Sequence, residues 1–444
     1  MQSQGGGFPS YWTYLGNPDN AASVRAGRRG PGGILTTRPR ADRKEVSVIQ
    51  GTRKSIQDPV RNPAVHALEI SELGRRLQRA HGEVWLHHMK GDPYADVLRG
   101  HAEDPHPVYE RIRALGPLWR STTGTWVTAD HGLATTLLGE AWPHGPVSGE
   151  PGRTPVADAG LGGDAAHYER LHGPAAAAFA PAEVTAVCER AVDGLAGDFD
   201  LVTDLAERVP VDLLARTLGL PAAHRPEFAE ACAAAGTVLD GLLCPQRLEA
   251  ARRALTAVGR LRTLLAAAHR DPDGTGPRDT AVLLATAGVR TAARLVGSSV
   301  LAVVDHPEQW SRVADDPGHA ALVVTETLRY DSPVQLHPAV ARADAEFAGE
   351  RIAAGEQVVV LVGAANRDPG VFTDPGRFLP GRPGAVLAPA LYHRVTLPFA
   401  RALAEAVVRA LVAAGPRVHR AGPHLRSRRS PVTRHLLSCP LTTG

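Results

Sequence analysis

From Val65 onward, apolar residues return at helical intervals: Ile70, Leu73 and Leu77, then Val84 and Trp85, so a long first helix is predicted. A second helix is expected after Asp104-Pro105, with Val108, Ile112 and Leu115 on one face and a stop at Gly116-Pro117. Leu118 to Ser121 and Trp126 to Thr128 read as short strands split by Thr123-Gly124, as in a hairpin. Between Ala166 and about Leu328 the pattern is helical almost throughout, with breaks expected at Pro210, Pro221, Pro245 and the loop Asp271 to Arg278. Gln357 to Val362 is a continuous β-branched run that suits a buried strand. The closing helix is expected over Pro398 to Ala414, with Phe399, Leu403, Val407 and Leu411 one way and Arg401, Glu405 and Arg409 another. Many helices with a few small sheets imply a mainly α, α+β single domain over residues 63–444.

Residues 1–62 depart from this pattern. They are rich in Gly, Pro, Ser and Arg and include the run Gly27 to Gly33, which builds no packed core. They are expected to form a disordered basic extension, or to lie upstream of the true start codon. Residues 21–62 hold ten Arg or Lys against Asp42, Glu45 and Asp58, a net of +7. With Asp19, and a total of +3, residues 63–444 therefore carry −3, and nucleic acid is not an expected partner of the body. With 43% hydrophobic and 21% charged residues in 444, the body is of ordinary globular composition. Cys188, Cys232, Cys244 and Cys439 lie far apart with no companion His at zinc spacing, so reduced buried thiols and no metal site are expected. No charged stretch followed by an apolar run opens the chain. The apolar stretch Ala281 to Val304 is interrupted by Arg290 and Arg294 and makes a poor membrane span, so a cytoplasmic address is expected.

One predicted helix reads Val324-Thr-Glu326-Thr-Leu-Arg329-Tyr330, which sets a carboxylate and a guanidinium three residues apart on one face. Such pairs are common on solvated helices, but the surroundings single this one out. Asp305-His306-Pro307-Glu308-Gln309 precedes it. Asp331-Ser-Pro333, Arg342-Ala-Asp344, Ala364-Ala-Asn366-Arg367-Asp368-Pro369, Phe372, Pro375, Phe378 and Arg382 follow. In that order these elements resemble the C-terminal half of a bacterial cytochrome P-450, a haem-thiolate monooxygenase. The resemblance implies a structural role for Glu326 and Arg329, with Arg382 as the third member that closes a buried charge network.

A haem-thiolate enzyme needs a Cys thiolate in a Gly-rich loop before the last helix. An ungapped match puts Arg394 at that position, and Leu387-Ala-Pro-Ala-Leu-Tyr392-His393 lacks the glycines. In Ala287-Gly288-Val289-Arg290-Thr291-Ala292, Arg290 replaces the acid that relays protons, and a cation cannot serve there. Tyr168 and His172 stand where the family uses His and Arg on the haem propionates; Arg342 keeps its expected identity. No haem, no metal and no catalytic residue are therefore expected. An empty haem hollow would cost on the order of 10 kcal/mol at about 24 cal/mol per Å³, so Arg290, Arg294 and Tyr392 are expected to fill part of it.

Leu73-Gly74-Arg75-Arg76-Leu77-Gln78, Gly91-Asp92-Pro93-Tyr94, Thr125-Trp126-Val127, Ala364 to Phe372 and Arg428-Arg429-Ser430-Pro431-Val432 resemble a narrower group. These are the P-450-like auxiliary proteins that activate deoxysugar glycosyltransferases in macrolide and related antibiotic pathways. The resemblance implies a non-catalytic partner that binds and stabilises a nucleotide-diphospho-deoxysugar glycosyltransferase. Leu73, Leu77 and Trp85 on the first helix are the expected contact residues, since interface cores favour aliphatic and aromatic anchors. Two rival readings are a haem enzyme with an unusual ligand, His393 being the alternative, and a small-molecule binder that uses the old substrate pocket.

Overall fold

The computed structural model describes residues 63–139, 144–145, 156, 159–163, 165–268, 277–387 and 392–444. The 1–62 extension lies outside the described residues. Helix α1 (Pro63–Met89) leads into α2 (Pro93–Arg99) and α3 (His106–Arg113). The sequence pattern passed over α2 because it is only two turns long, yet its start is strongly specified. Asp92 caps it by accepting from Tyr94 N and Ala95 N, and Pro93 occupies the first helical position, where its missing N–H costs nothing. Helix α3 ends at Arg113, so Leu115 falls beyond its face and is exposed.

Strands β1 (Trp119–Arg120) and β2 (Trp126–Thr128) pair antiparallel around the 121–124 turn, then α4 (His131–Leu138) and β3 (His144–Gly145) follow. The helical middle of the chain comprises α5 (Ala165–Ala177), α6 (Pro181–Asp193), α7 (Arg208–Thr217), α8 (Arg225–Ala235) and α9 (Leu248–Ala268). Pro210 does not break it. That residue sits in the first turn of α7, where a proline is tolerated, and the break falls earlier at β4 (Asp198–Asp200) and a π-helical segment, Leu201–Ala206. β4 was unread because three residues carry too little periodicity. It is held by the far end of the chain, pairing with β12 (Pro440–Thr443).

The central helix runs as α10 (Pro277–Leu283), a π turn (Leu284–Gly288) and α11 (Val289–Asp305). By length and composition Arg278–Asp305 is apolar enough to cross a membrane, but 78% of its most apolar 18-residue stretch is buried inside the fold, as befits a core helix. After α12 (Pro307–Asp315) and α13 (His319–Tyr330) come β5 (Leu336–Ala341), the hairpin β6 (Ala345–Phe347) and β7 (Glu350–Ile352), and β8 (Gln357–Leu361). β8 is central to a five-stranded sheet of order β1-β2-β8-β5-β3 and is buried at every position, which explains its unbroken Val run. Helix α14 (Val362–Ala365) follows β8. Helix α15 (His393–Ala413) packs on α5, α6 and α11, and β9 (Val418–Arg420), β10 (Leu425–Arg426), β11 (Leu436–Ser438) and β12 close the chain.

Inside this frame Arg329 is fully buried and donates from Nε and Nη2 to the Glu326 carboxylate at 2.9 and 2.8 Å. Its remaining donors reach the Asn366, Pro375 and Arg377 carbonyls at 2.9 to 3.1 Å. Arg382 Nε lies 3.1 Å from Glu326 Oε1, and its guanidinium donates to the Thr373 and Arg377 carbonyls. The network thereby holds the irregular 366–382 segment against α13.

Candidate functional site

Helix α15 begins at His393, five residues earlier than the sequence pattern placed it. Arg394, the second helical residue, is therefore in a helical turn and not in an open loop. Its Nη2 lies 3.2 Å from Glu169 Oε2 of α5, a half-exposed ion pair between the two helices. Pro398 sits inside this helix and has no N–H to give the Arg394 carbonyl. Under the turn, Tyr392 and His393 are both buried with their rings 4.0 Å apart, and His337 of β5 is 5.8 Å from His393. Burial, and then the neighbouring His337, hold the His393 imidazole well below its ordinary range, so it is neutral. His393 Nε2 and Tyr392 Oη have no hydrogen-bond partner among the described residues.

Across from α15, the π turn brings Gly288 close to the helix: Phe399 Cδ1 lies 3.5 Å from the place a Cβ on Gly288 would occupy. Phe399 also stacks on Phe179 at 4.7 Å. Tyr168 of α5 is buried, donating to Gly160 O at 3.0 Å and accepting from Gly163 N at 3.2 Å. His172 Nδ1 is buried without a partner among the described residues. Arg342, just past β5, is exposed.

Only part of the expected filling is found. Tyr392 is buried in this region, but the two arginines turn elsewhere. Arg290 donates to Ala233 O of α8 at 3.0 Å and lies 3.5 Å from Glu207. Its Nε approaches within 2.7 Å of where a Gly236 Cβ would be, so a larger residue at 236 would displace it. Arg294 is fully buried and bonds Asp331, Ser298 and the Thr433 carbonyl. Arg290 does border a groove of about 560 Å³, but that groove lies among α7, α8 and α11 and includes no residue of α5 or α15. The physical reason is that a long cation seeks the nearest acid and carbonyl, and Glu207 and Asp331 lie on the other sides of α11.

A haem does not fit the residues present between the central helix and α15. A guanidinium has no lone pair for iron, and Phe399 packs against Gly288 between the central helix and α15. All four cysteines are buried, none lies in the segment leading into α15, and burial raises the Cys188 thiol to about 12 and the Cys439 thiol to about 11. No cluster of three or more His, Cys, Asp or Glu suited to a metal is present among the described residues.

Sequence reasoning passed over one buried carboxylate. Asp240, in the 3₁₀ segment Gly236–Leu242 after α8, accepts from Val432 N, Thr433 N and Thr433 Oγ1 at 2.9 to 3.1 Å and so clamps the C-terminal loop. Burial pushes its pKa up to about 6 in spite of those donors. Because the folded value exceeds the ordinary 3.8, this group favours the fold below about pH 4, and that contribution is lost as pH rises towards 6. Asp240→Asn preserves the shape and keeps one acceptor oxygen for the Val432 and Thr433 amides. It is expected to flatten the pH dependence of urea unfolding between pH 4 and 6, and an unchanged slope refutes the assignment.

The first helix divides the expected contact residues. Leu77 is 6% exposed and packs into its own domain, which removes it as a partner anchor, and Leu73 is half-buried beside it. Leu77 lies on the inward face because α1 packs across α2 and α9, with Gly74 against Leu248. Trp85 is 52% exposed and is joined by Leu86 and Met89, which the sequence reading did not name.

A model described as "Cytochrome P450" matches residues 320–400, from α13 to the start of α15. Protein DesVIII of Streptomyces venezuelae is 40% identical over 406 residues, covering 88% of this chain and 98% of the relative. Protein AknT of Streptomyces galilaeus is 37% identical over 427 residues, covering 84% and 96%. The chain belongs to the cytochrome P450-like auxiliary proteins of antibiotic glycosyltransferases. As a member of the cytochrome P450-like family it also shares the fold of the enzymes: P450BioI, solved with an acyl carrier protein, superposes with a TM-score of 0.66 at 23% identity, over 77% of this chain and 99% of that one.

Proposed function

We propose that this chain is a non-catalytic subunit that binds a nucleotide-diphospho-deoxysugar glycosyltransferase in the cytoplasm and holds it in its active fold. The observation that carries the reading is Arg394, wound into α15 and paired with Glu169 where a haem enzyme of this fold presents its thiolate loop. Relatives matched along nearly their whole length support the partner class. A protein that binds only the folded transferase stabilises it by about 2.7 kcal/mol when present at 100 times its Kd. Sugar and acceptor sites lie on the transferase. Glu326, Arg329 and Arg382 serve the fold alone, and Trp85 with Leu86 and Met89 forms the apolar part of the contact surface.

The test is co-expression of a deoxysugar glycosyltransferase from the same strain with and without this chain. Soluble, active transferase is expected only with the chain, and the purified chain is expected to be colourless after growth with added haem precursor. Equal activity in both arms, or a strong visible band with stoichiometric porphyrin, refutes the reading. Trp85→Ala is expected to weaken capture of the transferase about tenfold or more with no change in melting temperature, because an exposed anchor contributes to binding and little to the fold. Unchanged capture refutes its assigned place in the contact surface.

A further inference from the structure

The groove beside Arg290 also flanks α8, but its charges are largely satisfied within the molecule. Arg216 and Arg225 face Asp212 at 2.9 and 3.8 Å, and Arg290 faces Glu207. The second cleft, of about 340 Å³, lies between α8 and α9 and differs in this respect. It is lined by Arg252, Arg253, Thr256 and Arg260 of α9, together with Glu249 and Glu230. The three arginines are exposed, and none makes an ion pair or hydrogen bond with any described residue. They follow one face of α9 from Arg252 to Arg260, roughly 12 Å at 1.5 Å per residue.

We propose that this cleft receives an acidic segment of the glycosyltransferase, whose carboxylates pair with Arg252, Arg253 and Arg260. The inference rests on the partner reading above and extends it to a second patch of the contact surface. Three guanidiniums without internal partners supply charge complementarity, and arginine suits this role because its planar fork meets a carboxylate through two parallel hydrogen bonds. Glu230 and Glu249 in the same cleft disfavour a uniform polyanion such as RNA and favour a polypeptide that carries a few acids among other residues. The helices that carry the two patches touch each other. Helix α1 crosses α9 at Gly74 and Leu248, one turn before Arg252, and Trp85 lies eleven residues further along α1, roughly 16 Å away. An apolar anchor and a cationic cleft on two touching helices can share one interface of standard size.

The test measures association of the full chain with the co-expressed transferase, by surface binding kinetics at 50 and 300 mM salt. The triple charge reversal R252E/R253E/R260E is expected to slow association at 50 mM salt about tenfold or more and to remove most of its salt dependence. Trp85→Ala is expected chiefly to speed dissociation. The reversed residues are exposed, so an unchanged melting temperature certifies the fold, and R252K/R253K/R260K, which keeps the charge, is expected to retain most of the association rate. If the wild-type chain neither binds nor activates the transferase, the partner reading itself fails. If the wild type binds and the triple reversal associates with the same rate and salt dependence, the cleft assignment alone is overturned. A triple reversal that loses binding to a 25-nucleotide RNA while binding the transferase normally likewise overturns it.

Discussion

Arg329→Met is expected to destabilise the fold by about 3–5 kcal/mol, enough to unfold much of a domain whose total stability is about 5–15 kcal/mol. The magnitude follows from what the substitution leaves behind. Glu326 would keep a carboxylate that is 2% exposed, with Leu379 N and Arg382 as its remaining partners. Three carbonyls of the 366–377 segment would also lose their donor. The double variant E326Q/R329M removes both charges and is expected to recover part of the loss, because an uncompensated buried charge costs more than a neutral pair. Urea unfolding of the two variants checks this. A single variant within 1 kcal/mol of wild type would show that the pair is not what holds the 366–382 segment in place.

Asp331→Asn is expected to cost about 3 kcal/mol, through the cation it strands. Arg294 is fully buried in the side of α11, and Asp331, at the end of α13, is its acid. Arg426 of β10 approaches the same carboxylate at 2.9 Å and Ser298 donates to it at 3.0 Å, so three elements converge on one residue. Burial alone would raise this carboxyl, but Arg294, Arg426 and the Ser298 hydroxyl hold it well below the usual 3.8. With the folded value below the unfolded one, its contribution is complete above about pH 4 and is lost as pH falls below 3.8. Asp331→Asn should therefore lower stability at pH 7 and converge on the wild type in acid. A difference that does not shrink on acidification would assign the effect to packing. The sign is opposite to that of Asp240, and the two variants measured side by side form an internal control.

The main helices and the principal sheet strands were legible because their apolar positions repeat over several turns or run unbroken, as in α11 and β8. The elements missed are short: α2 is two turns started by its own Asp92 cap, and β4 is held by β12, the last strand. Leu115 and Pro210 were misplaced because one residue of register decides whether a side chain faces the core or whether a proline falls in a tolerated first turn. The Glu326–Arg329 spacing was visible on one helix, whereas the carbonyls that share Arg329 come from residues up to 48 positions away. Leu77 and Trp85 look equivalent as apolar helix positions. Only the packing of α2 and α9 on α1 separates the buried one from the exposed one.

That Arg394 stands where the fold's enzymes carry their ligand cysteine, with no cysteine in the segment leading into the last helix, is a fact of the sequence alone. Helical periodicity and the order of the 326–382 residues likewise needed no coordinates. The directions in which long cations point were decided by the tertiary structure. Arg290 and Arg294 sit four residues apart on one helix, yet each takes the acid its own side of the fold supplies, Glu207 or Asp331. A flexible charged side chain follows the electrostatic environment made by neighbours far away in sequence, and no local pattern encodes that environment.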